Sequence, residues 1–359
     1  MTKNKILPVF IPHGGCRHHC IFCDQYRITA GDHLPSAEEL EALIPKDLDP
    51  DTELAFYGGS FTALPDAVRK AYLDFARRKK EAGVISGIRL STHPAYMDEE
   101  RAAELENYGV DTVELGIQST DDEVLRRAGR GHGSKEIFFA AEILAASPMR
   151  WGVQLMVGLP EDDEEKDLRS VAQLLPYRPD MARIYPVLVL EGTPLARMWR
   201  GKEYAPVPLE DAVRICGRML ALFSYADVPV IRLGLQPTDE ISWDSDALLA
   251  GPFHPSFGYL TRCFLKREQM AMLLGEQSGA AFRFLAPKND LPLLFGYRGE
   301  TPGLLAEGRK LAVGEGDLPR GAVALAPFSK KEKRKTLGLL TEEDFLEKYT
   351  EHDRSIYCI

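Results

Sequence analysis

The fold is decided by the stretch Cys16-Arg-His-His-Cys20-Ile-Phe-Cys23, which follows the apolar segment Ile6–Pro12. It places three thiols within eight residues. Four ligands close a structural zinc site or an electron-transfer iron–sulfur site, whereas three cysteines leave one position of a bound metal group open. An open position is typical of catalytic metal centres. The loop therefore predicts a catalytic metal centre.

A structural zinc site is the alternative for this loop. His13, His18 or His19 could supply a fourth ligand, and Cys₃His is an ordinary structural zinc set. A zinc knuckle usually presents two separated ligand pairs, however, and no second pair follows in the sequence. Thiolates are soft ligands that suit iron–sulfur clusters. We therefore expect this loop to bind an iron–sulfur cluster rather than zinc.

The length and the cysteine usage indicate an enzyme of the reducing cell interior. The chain has 359 residues, more than a usual single domain, although an α/β barrel can hold over 200 in one unit. No apolar run is long enough to span a bilayer, and the first residues lack the apolar core of a signal peptide. Cys216, Cys263 and Cys358 are too scattered for a disulfide framework. We expect a cytoplasmic protein.

The charge is distributed unevenly along the chain. Residues 251–359 carry 16 Lys and Arg against 14 Asp and Glu, which leaves 28 against 40 in residues 1–250 of a chain with net charge −10. The acidic part argues against a protein that coats nucleic acid. One basic run, Lys330–Lys335, is most simply a solvated surface, with a nucleic-acid role as the alternative. An RNA substrate is therefore possible but not favoured.

Short apolar runs alternate with helical patterns over the first two thirds of the chain. The predicted strands are Val9–Ile11, Leu54–Tyr57, Ile88–Ser91, Thr112–Gly116, Gly152–Val157 and Ala182–Val187. The predicted helices are Ala37–Leu43, Asp66–Glu81, Asp98–Tyr108, Ser134–Ala146, Glu164–Leu175 and Leu209–Phe223, with Asp98 and Ser134 as N-caps. Six βα units in series predict a parallel sheet with helices outside it.

The chemistry-bearing motifs follow the predicted strands. They are the cysteine loop, Gly58-Gly59-Ser60, Thr92-His93-Pro94, Gln118-Ser119 and Gly158-Leu159-Pro160, after strands one to five. Ligands of curled parallel sheets bind at the carboxyl ends of the strands. Five motifs at these ends together predict a single site.

The pattern changes after Val187. A further apolar strand, Pro229–Leu235, would extend the sheet, and an ordered loop, Ala250–Gly258, follows it. We expect this loop, with Phe253, His254 and Phe257, to pack near the mouth of the barrel or to anchor the next segment. The remainder predicts a small α+β appendage with the helix Lys266–Leu274 and the strands Ala281–Leu285 and Ala322–Ala326. The predicted domains are residues 1–236 and 237–359.

The cysteine loop, with an aromatic residue before its last cysteine, resembles the signature of the radical S-adenosylmethionine (radical SAM) enzymes. The resemblance implies an α/β fold, a partial (β/α)6 TIM-like barrel, with Cys16, Cys20 and Cys23 holding a [4Fe–4S] cluster. It also implies S-adenosylmethionine (SAM) as cofactor, cleaved reductively to a 5′-deoxyadenosyl radical that abstracts hydrogen from substrate. An external one-electron donor such as flavodoxin or ferredoxin is then required.

The same resemblance assigns roles around the cofactor. Gly58 and Gly59 resemble the family's glycine motif at the methionine ammonium, Arg130 the residue at the carboxylate, and Gln118 and Gln154 the residues at the ribose. Ser91 matches a polar position of the third strand. Phe22, Met156 and Val187 resemble apolar neighbours of the adenine, with simple core packing as the alternative for Met156 and Val187.

Within the superfamily, the likeness is to the branch of the Elongator catalytic subunit. It rests on Phe10–Cys16, Ile21–Gln25, Arg183–Val189, Glu191–Thr193 and Ile231-Arg232, and it covers roughly residues 5–236. Members of that branch modify the wobble uridine of tRNA with an acetyl-CoA-binding domain. The printed sequence lacks that domain's glycine loop and a basic segment before the barrel.

We therefore expect a radical SAM enzyme of unassigned substrate. The alternatives are a tetrapyrrole-binding relative of coproporphyrinogen dehydrogenase and a tRNA-modifying enzyme without the acetyl-CoA domain. A non-enzymatic zinc or iron–sulfur protein is a further alternative, but an electron carrier would not need the residues around the cluster.

Overall fold

Seven parallel strands form the main sheet of the protein. The structure, a computed structural model, describes residues 5–26, 33–238, 241–275, 277–328 and 336–357. The first nine strands are β1 (Lys5–Phe10), β2 (Thr52–Tyr57), β3 (Gly87–Thr92), β4 (Thr112–Gln118), β5 (Arg150–Val157), β6 (Met181–Pro186), β7 (Val189–Leu190), β8 (Val230–Leu233) and β9 (Leu248–Ala250). The main sheet has the order β1-β2-β3-β4-β5-β6-β8. It curls into the expected partial barrel, with the predicted seventh strand beside β6.

Helices connect the strands of this sheet. They are α1 (Ala37–Ala42), α2 (Asp66–Glu81), α3 (Glu99–Asn107), α4 (Asp122–Arg127), α5 (Ser134–Ala146), α6 (Glu164–Leu174) and α7 (Pro194–Arg200). Asp98 caps α3 as predicted, since its carboxylate accepts the N–H of Arg101 at 2.8 Å. The predicted cap of α5 is wrong. Gly133 is the N-cap, because the Glu136 side chain accepts the Gly133 N–H, and Ser134 is the first helical residue.

The strands carry a largely buried charge network of Glu53, Arg89, Glu114 and Arg183, and the exposed Arg150 donates to Glu53 from its edge. Arg89 donates to Glu53 at 2.7 Å and to Glu114 at 2.9 Å, and Arg183 donates to Glu114 at 2.9 Å. Burial opposes the ionisation of Glu53, but Arg89 and Arg150 outweigh it and lower its pKa. The charged side chains inside the barrel are therefore ionised and paired with one another. At Arg183 they adjoin the residues at the strand ends.

The chain divides into two compact units, the first comprising residues 1–208 and 228–253 and the second comprising residues 209–227 and 254–359. The second unit has the helices α8 (Leu209–Tyr225), α9 (Phe257–Gly275), α10 (Leu291–Phe295), α11 (Thr301–Leu305) and α12 (Glu342–Tyr357). Its strands are β10 (Ala281–Ala286), β11 (Lys310–Glu315), β12 (Val323–Pro327) and β13 (Gly338–Leu340), in the order β11-β10-β12-β13. The expected α+β appendage is present. The helix α8 groups with the second unit although it precedes residue 236 in the sequence. The division into domains at residue 236 stays a prediction.

Two of the scattered cysteines are buried in helices of the second unit. Cys216 in α8 is fully buried, and Cys263 in α9 is 5% exposed. Cys358 and the basic run Lys330–Lys335 lie outside the described residues. In the part of the chain that the structure describes, no helix is both long and apolar enough to cross a membrane.

Candidate active site

Backbone hydrogen bonds hold the cysteine loop against the end of β2 and the end of α4. His13 N–H donates to the Gly58 carbonyl at 3.0 Å, and Ser60 N–H donates to the Gly14 carbonyl at 2.8 Å, which ties the loop to the end of β2. Ile21 N–H donates to the Ala128 carbonyl, at the end of α4, at 3.0 Å. These contacts bring the three cysteines to the carboxyl edge of the sheet, as the order of the motifs predicts.

Gly59 is required by this packing. A Cβ atom there would overlap the carbonyl oxygens of Gly14 and Ile11, so any other residue would push the cysteine loop away. The glycine motif thus has a structural role beside the ligand role that the resemblance implies. Sequence reasoning missed this role because it depends on two backbones that lie about 45 residues apart in the chain.

Eleven of the twelve residues proposed for the site line one cavity of about 320 Å³ in the first unit. They are Cys16, Cys20, Phe22, Cys23, Gly58, Gly59, Ser91, Gln118, Arg130, Gln154 and Met156. Val187 is not among the lining residues. It is 1% exposed and belongs to an apolar core cluster against which Phe22 and Met156 pack.

Arg130 and Gln118 bring unused polar atoms to this cavity. The Arg130 guanidinium donates from Nη1 to Cys20 Sγ at 3.0 Å and from Nη2 to the Gly116 carbonyl, while its buried Nε has no acceptor among the described residues. Gln118 Oε1 is likewise buried with no donor among them. Buried polar groups are rarely left unpaired, so both atoms are available to a ligand.

The backbone of β4 makes this convergence possible. Gln118 has a φ of 74°, and the pairing of β4 with β5 shifts register between Gly116 and Gln118. A Cβ on Gly116 would lie 3.1 Å from Gln118 Nε2 and 3.7 Å from Arg130 Nη2. Strained backbone of this kind is often kept at ligand sites.

The thiols of the cysteine loop lie in polar but largely buried surroundings. Cys16 Sγ is 3.6 Å from Ser60 Oγ, and Gln25 Nε2 donates to Cys23 Sγ at 3.2 Å. Burial raises the pKa of Cys16, and it raises that of Cys23 to about 12. Metal ligation requires thiolates, so binding of a metal group must release protons.

The cysteine loop offers three thiols, which are soft ligands, within eight residues. Among the described residues, no three Cys, His, Asp or Glu side chains form a set that could hold a single ion. Thiolates around one zinc ion must all lie about 2.3 Å from it. A cluster of several iron atoms has no such requirement, because its thiolates bind different irons. Three soft thiolates without a second ligand pair in the sequence fit an iron–sulfur cluster better than zinc.

Three polar residues to which the sequence analysis gave no role in the site also line the cavity, namely Tyr57, Arg183 and Tyr185, and they lie there with His93 of the predicted third-strand motif. Arg183 donates from Nη2 to the Tyr57 hydroxyl at 2.9 Å and from Nη1 to the Tyr185 hydroxyl at 3.3 Å. The buried charge network therefore reaches the cavity at Arg183. The sequence could have indicated two of these residues, because Arg183 and Tyr185 are two positions apart in a predicted strand and so lie on the same face of the sheet.

The loop predicted at Ala250–Gly258 divides between the two compact units. Phe253, in the first unit, packs with Leu188 and Leu190, and both leucines line the cavity. His254, in the second unit, places its ring edge-on to Tyr297 with 5.0 Å between the ring centroids. A role for this loop in substrate selection stays a prediction.

Comparison with known proteins defines the class. Residues 10–172 match the Radical SAM superfamily, and residues 179–267 match the Radical_SAM C-terminal domain. The fold, the cysteine loop and the cavity at the strand ends agree with these matches. The chain belongs to the radical SAM superfamily and is an enzyme of that class.

The relatives place the chain in the Elongator-like branch. The tRNA uridine(34) acetyltransferase of Methanocaldococcus jannaschii is 35% identical over 129 residues, which is 35% of this chain and 24% of that protein. The human Elongator complex protein 3 is 26% identical over 192 residues, 47% of this chain and 35% of that protein. The matched segments thus span about a quarter to a third of these relatives.

A solved structure shows the same fold. It is the archaeal Elp3 of Methanocaldococcus infernus with an N-terminal deletion, which superposes with a TM-score of 0.56 at 22% identity. The superposition covers 74% of this chain and 63% of that one. At this identity the likeness extends to the fold alone.

Proposed function

We propose that Cys16, Cys20 and Cys23 bind a [4Fe–4S] cluster and that SAM binds beside it across the strand ends. The observation that carries the proposal is the position of Arg130, whose guanidinium contacts Cys20 Sγ while its Nε lacks an acceptor. A guanidinium is the donor best suited to a carboxylate, and the methionine part of SAM carries one. The cavity would thus place the carboxylate next to the cluster.

The other lining residues suit the remaining parts of SAM. Gln118 Oε1 is an unused acceptor for a ribose hydroxyl, and Gln154 lines the same cavity on the neighbouring strand. Gly58 and Gly59 expose backbone for the ammonium group. Phe22 and Met156 offer apolar surface for the adenine, and Ser91 adds a further polar group. Val187 packs behind Phe22 and Met156 rather than in the cavity.

A cluster held by Cys16, Cys20 and Cys23 would supply one electron for the reductive cleavage of SAM to methionine and a 5′-deoxyadenosyl radical, which would abstract hydrogen from the substrate. The protein binds and orients the cofactor and keeps water from the radical. A one-electron donor such as flavodoxin or ferredoxin supplies the electron. The substrate stays unassigned.

Modification of a tRNA base is a second candidate function. Its support is that the relatives are named as tRNA uridine acetyltransferases and Elongator subunits. The net charge of −10 argues in the opposite direction. Addition of total tRNA to the reduced enzyme tests this candidate, because a true substrate should increase 5′-deoxyadenosine formation whereas an equal mass of polyuridylate should not.

The experiment that tests the proposed function is SAM cleavage by the anaerobically reconstituted protein with dithionite as reductant. We expect methionine and 5′-deoxyadenosine in equal amounts. Variants with Cys16, Cys20 or Cys23 changed to Ala should form neither, whereas Cys216→Ala, which removes a thiol buried in the second unit, should behave as wild type. Cleavage by the three loop variants at the wild-type rate would contradict the proposal.

A further inference from the structure

His93, directly after β3, has both ring nitrogens engaged. Nδ1 accepts the N–H of Ala95 at 3.2 Å, and Nε2 lies 3.0 Å from the carbonyl oxygen of Arg130. Because Nδ1 is an acceptor, the proton of the neutral ring is on Nε2, which donates to Arg130 O. The side chain therefore connects the end of β3 with the segment after α4.

The neutral form of His93 is strongly favoured. The residue is 7% exposed, and burial together with the Arg130 charge lowers its pKa to about 2. The donor at Nε2 is therefore present throughout the ordinary pH range. A charged ring would need a second acceptor, and the backbone N–H of Ala95 cannot supply one.

The carbonyl of Arg130 has a second imidazole beside it. His132 Nδ1 lies 3.3 Å from the same oxygen, and the rings of His93 and His132 are edge-on with 4.2 Å between their centroids. Arg130 lies between Gly129 and Gly131, which both have positive φ. A chain segment with two such glycines has many conformations, so it needs tertiary contacts to be held in one.

We propose that His93 is a positioning residue for SAM: it fixes the backbone of Arg130 so that the guanidinium is held at the Cys20 sulfur, ready for the methionine carboxylate. The inference rests on the function proposed for Arg130. Its physical basis is preorganisation, because a guanidinium already in place loses less conformational entropy when the ligand binds. His93 itself makes no contact with the carboxylate in this account.

Two variants separate the two hydrogen bonds of the ring. In His93→Asn the side-chain oxygen can still accept the Ala95 N–H, but the amide is too short to reach Arg130. In His93→Gln the longer amide can still donate to Arg130 while the local acceptor is lost. Both variants keep a polar group at a buried position, and melting temperature and iron content show whether each is folded and loaded.

The probes are SAM and its decarboxylated analogue, with binding to the reconstituted protein measured by calorimetry without oxygen. We expect the wild type to prefer SAM. His93→Asn should weaken SAM binding about tenfold and leave the affinity for the decarboxylated analogue within about twofold, and His93→Gln should recover most of the loss.

Two outcomes would overturn the inference alone, provided that the wild type prefers SAM. One is wild-type SAM affinity in His93→Asn, and the other is an equal loss for both ligands, as a merely structural role would give. If the wild type binds both ligands equally, the role of Arg130 in the proposed function fails, and the inference fails with it.

Discussion

Arg130 donates a hydrogen bond from Nη1 to Cys20 Sγ at 3.0 Å, between residues that are 110 positions apart in the sequence. The contact joins the segment after α4 to the cysteine loop, which the hydrogen bond from Ile21 N–H to Ala128 O also holds in place. Hydrogen bonds to cluster sulfurs are one means by which a protein sets the reduction potential of an iron–sulfur centre. Under the proposed function, Arg130 would act on both the cluster and the cofactor.

Replacement of Arg130 by Ala should weaken SAM binding by about 1.5–3 kcal/mol, the range for a hydrogen bond to a charged group. Calorimetry of the reconstituted protein without oxygen measures this effect. Arg126→Ala is the matched control, because Arg126 is exposed and pairs with Glu123 on the same helix. SAM affinity equal to wild type in Arg130→Ala would show that the carboxylate binds elsewhere.

Gln118→Leu should lower SAM affinity by about 0.5–1.5 kcal/mol through loss of a ribose contact. The same change should leave the ligand-free protein equally or more stable, because Gln118 Oε1 is buried without a donor among the described residues. Gln173→Leu is the control. It removes an acceptor of the Thr120 hydroxyl outside the cavity, so it should lower stability without affecting SAM. Reduced stability of Gln118→Leu with normal SAM binding would contradict the ligand role.

Arg89→Met should destabilise the fold by about 3–5 kcal/mol, because it leaves Glu53 and Glu114 buried without their shared partner. Urea unfolding measures the change. Arg77→Met is the control, since Arg77 is 43% exposed and pairs with Asp74 at the surface, where the loss should stay below about 1 kcal/mol. Equal losses in the two variants would mean that the buried charge network does not support the barrel.

The carboxyl pair of the half-buried Asp162 and the buried Asp167, at the start of α6, should make stability depend on pH. Burial raises the pKa of Asp162 to about 7, and burial and Asp162 raise that of Asp167. Between about pH 4, the unfolded value, and pH 7 the folded protein binds more protons than the unfolded chain, so this pair lowers stability as pH rises through that window. Asp167→Asn should therefore gain stability relative to wild type from pH 5 to pH 8 in urea titrations. A pH-independent difference would contradict this coupling.

The sheet could be predicted from the sequence because its first six strands are short apolar runs that alternate with helical patterns. The motif order then predicted which side chains meet at its carboxyl edge. Strands β7 and β9 could not be predicted in this way. They have two and three residues, too few for any periodicity, and their pairing joins segments about 60 residues apart.

The details of the site depend on tertiary contacts that the hydrophobic periodicity of the sequence does not predict. Val187 lies two residues after Tyr185, a spacing that would put both side chains on one face of a regular strand. Tyr185 nevertheless lines the cavity, whereas Val187 lies in the apolar core beside it. Gly59 packs against the backbone of Gly14, and His93 Nε2 lies 3.0 Å from the Arg130 carbonyl oxygen. Each of these pairs joins distant parts of the chain or depends on the local twist at a strand end.

The central claim is that three thiolates of one loop hold a cluster with an iron left open for SAM. The most direct measurement is iron and acid-labile sulfide analysis of anaerobically reconstituted protein, followed by electron paramagnetic resonance of the reduced sample with and without SAM. We predict about four iron and four sulfide per chain and a reduced-cluster signal that changes when SAM is added. A single zinc per chain without labile sulfide, or a cluster signal that SAM leaves unchanged, would contradict the account.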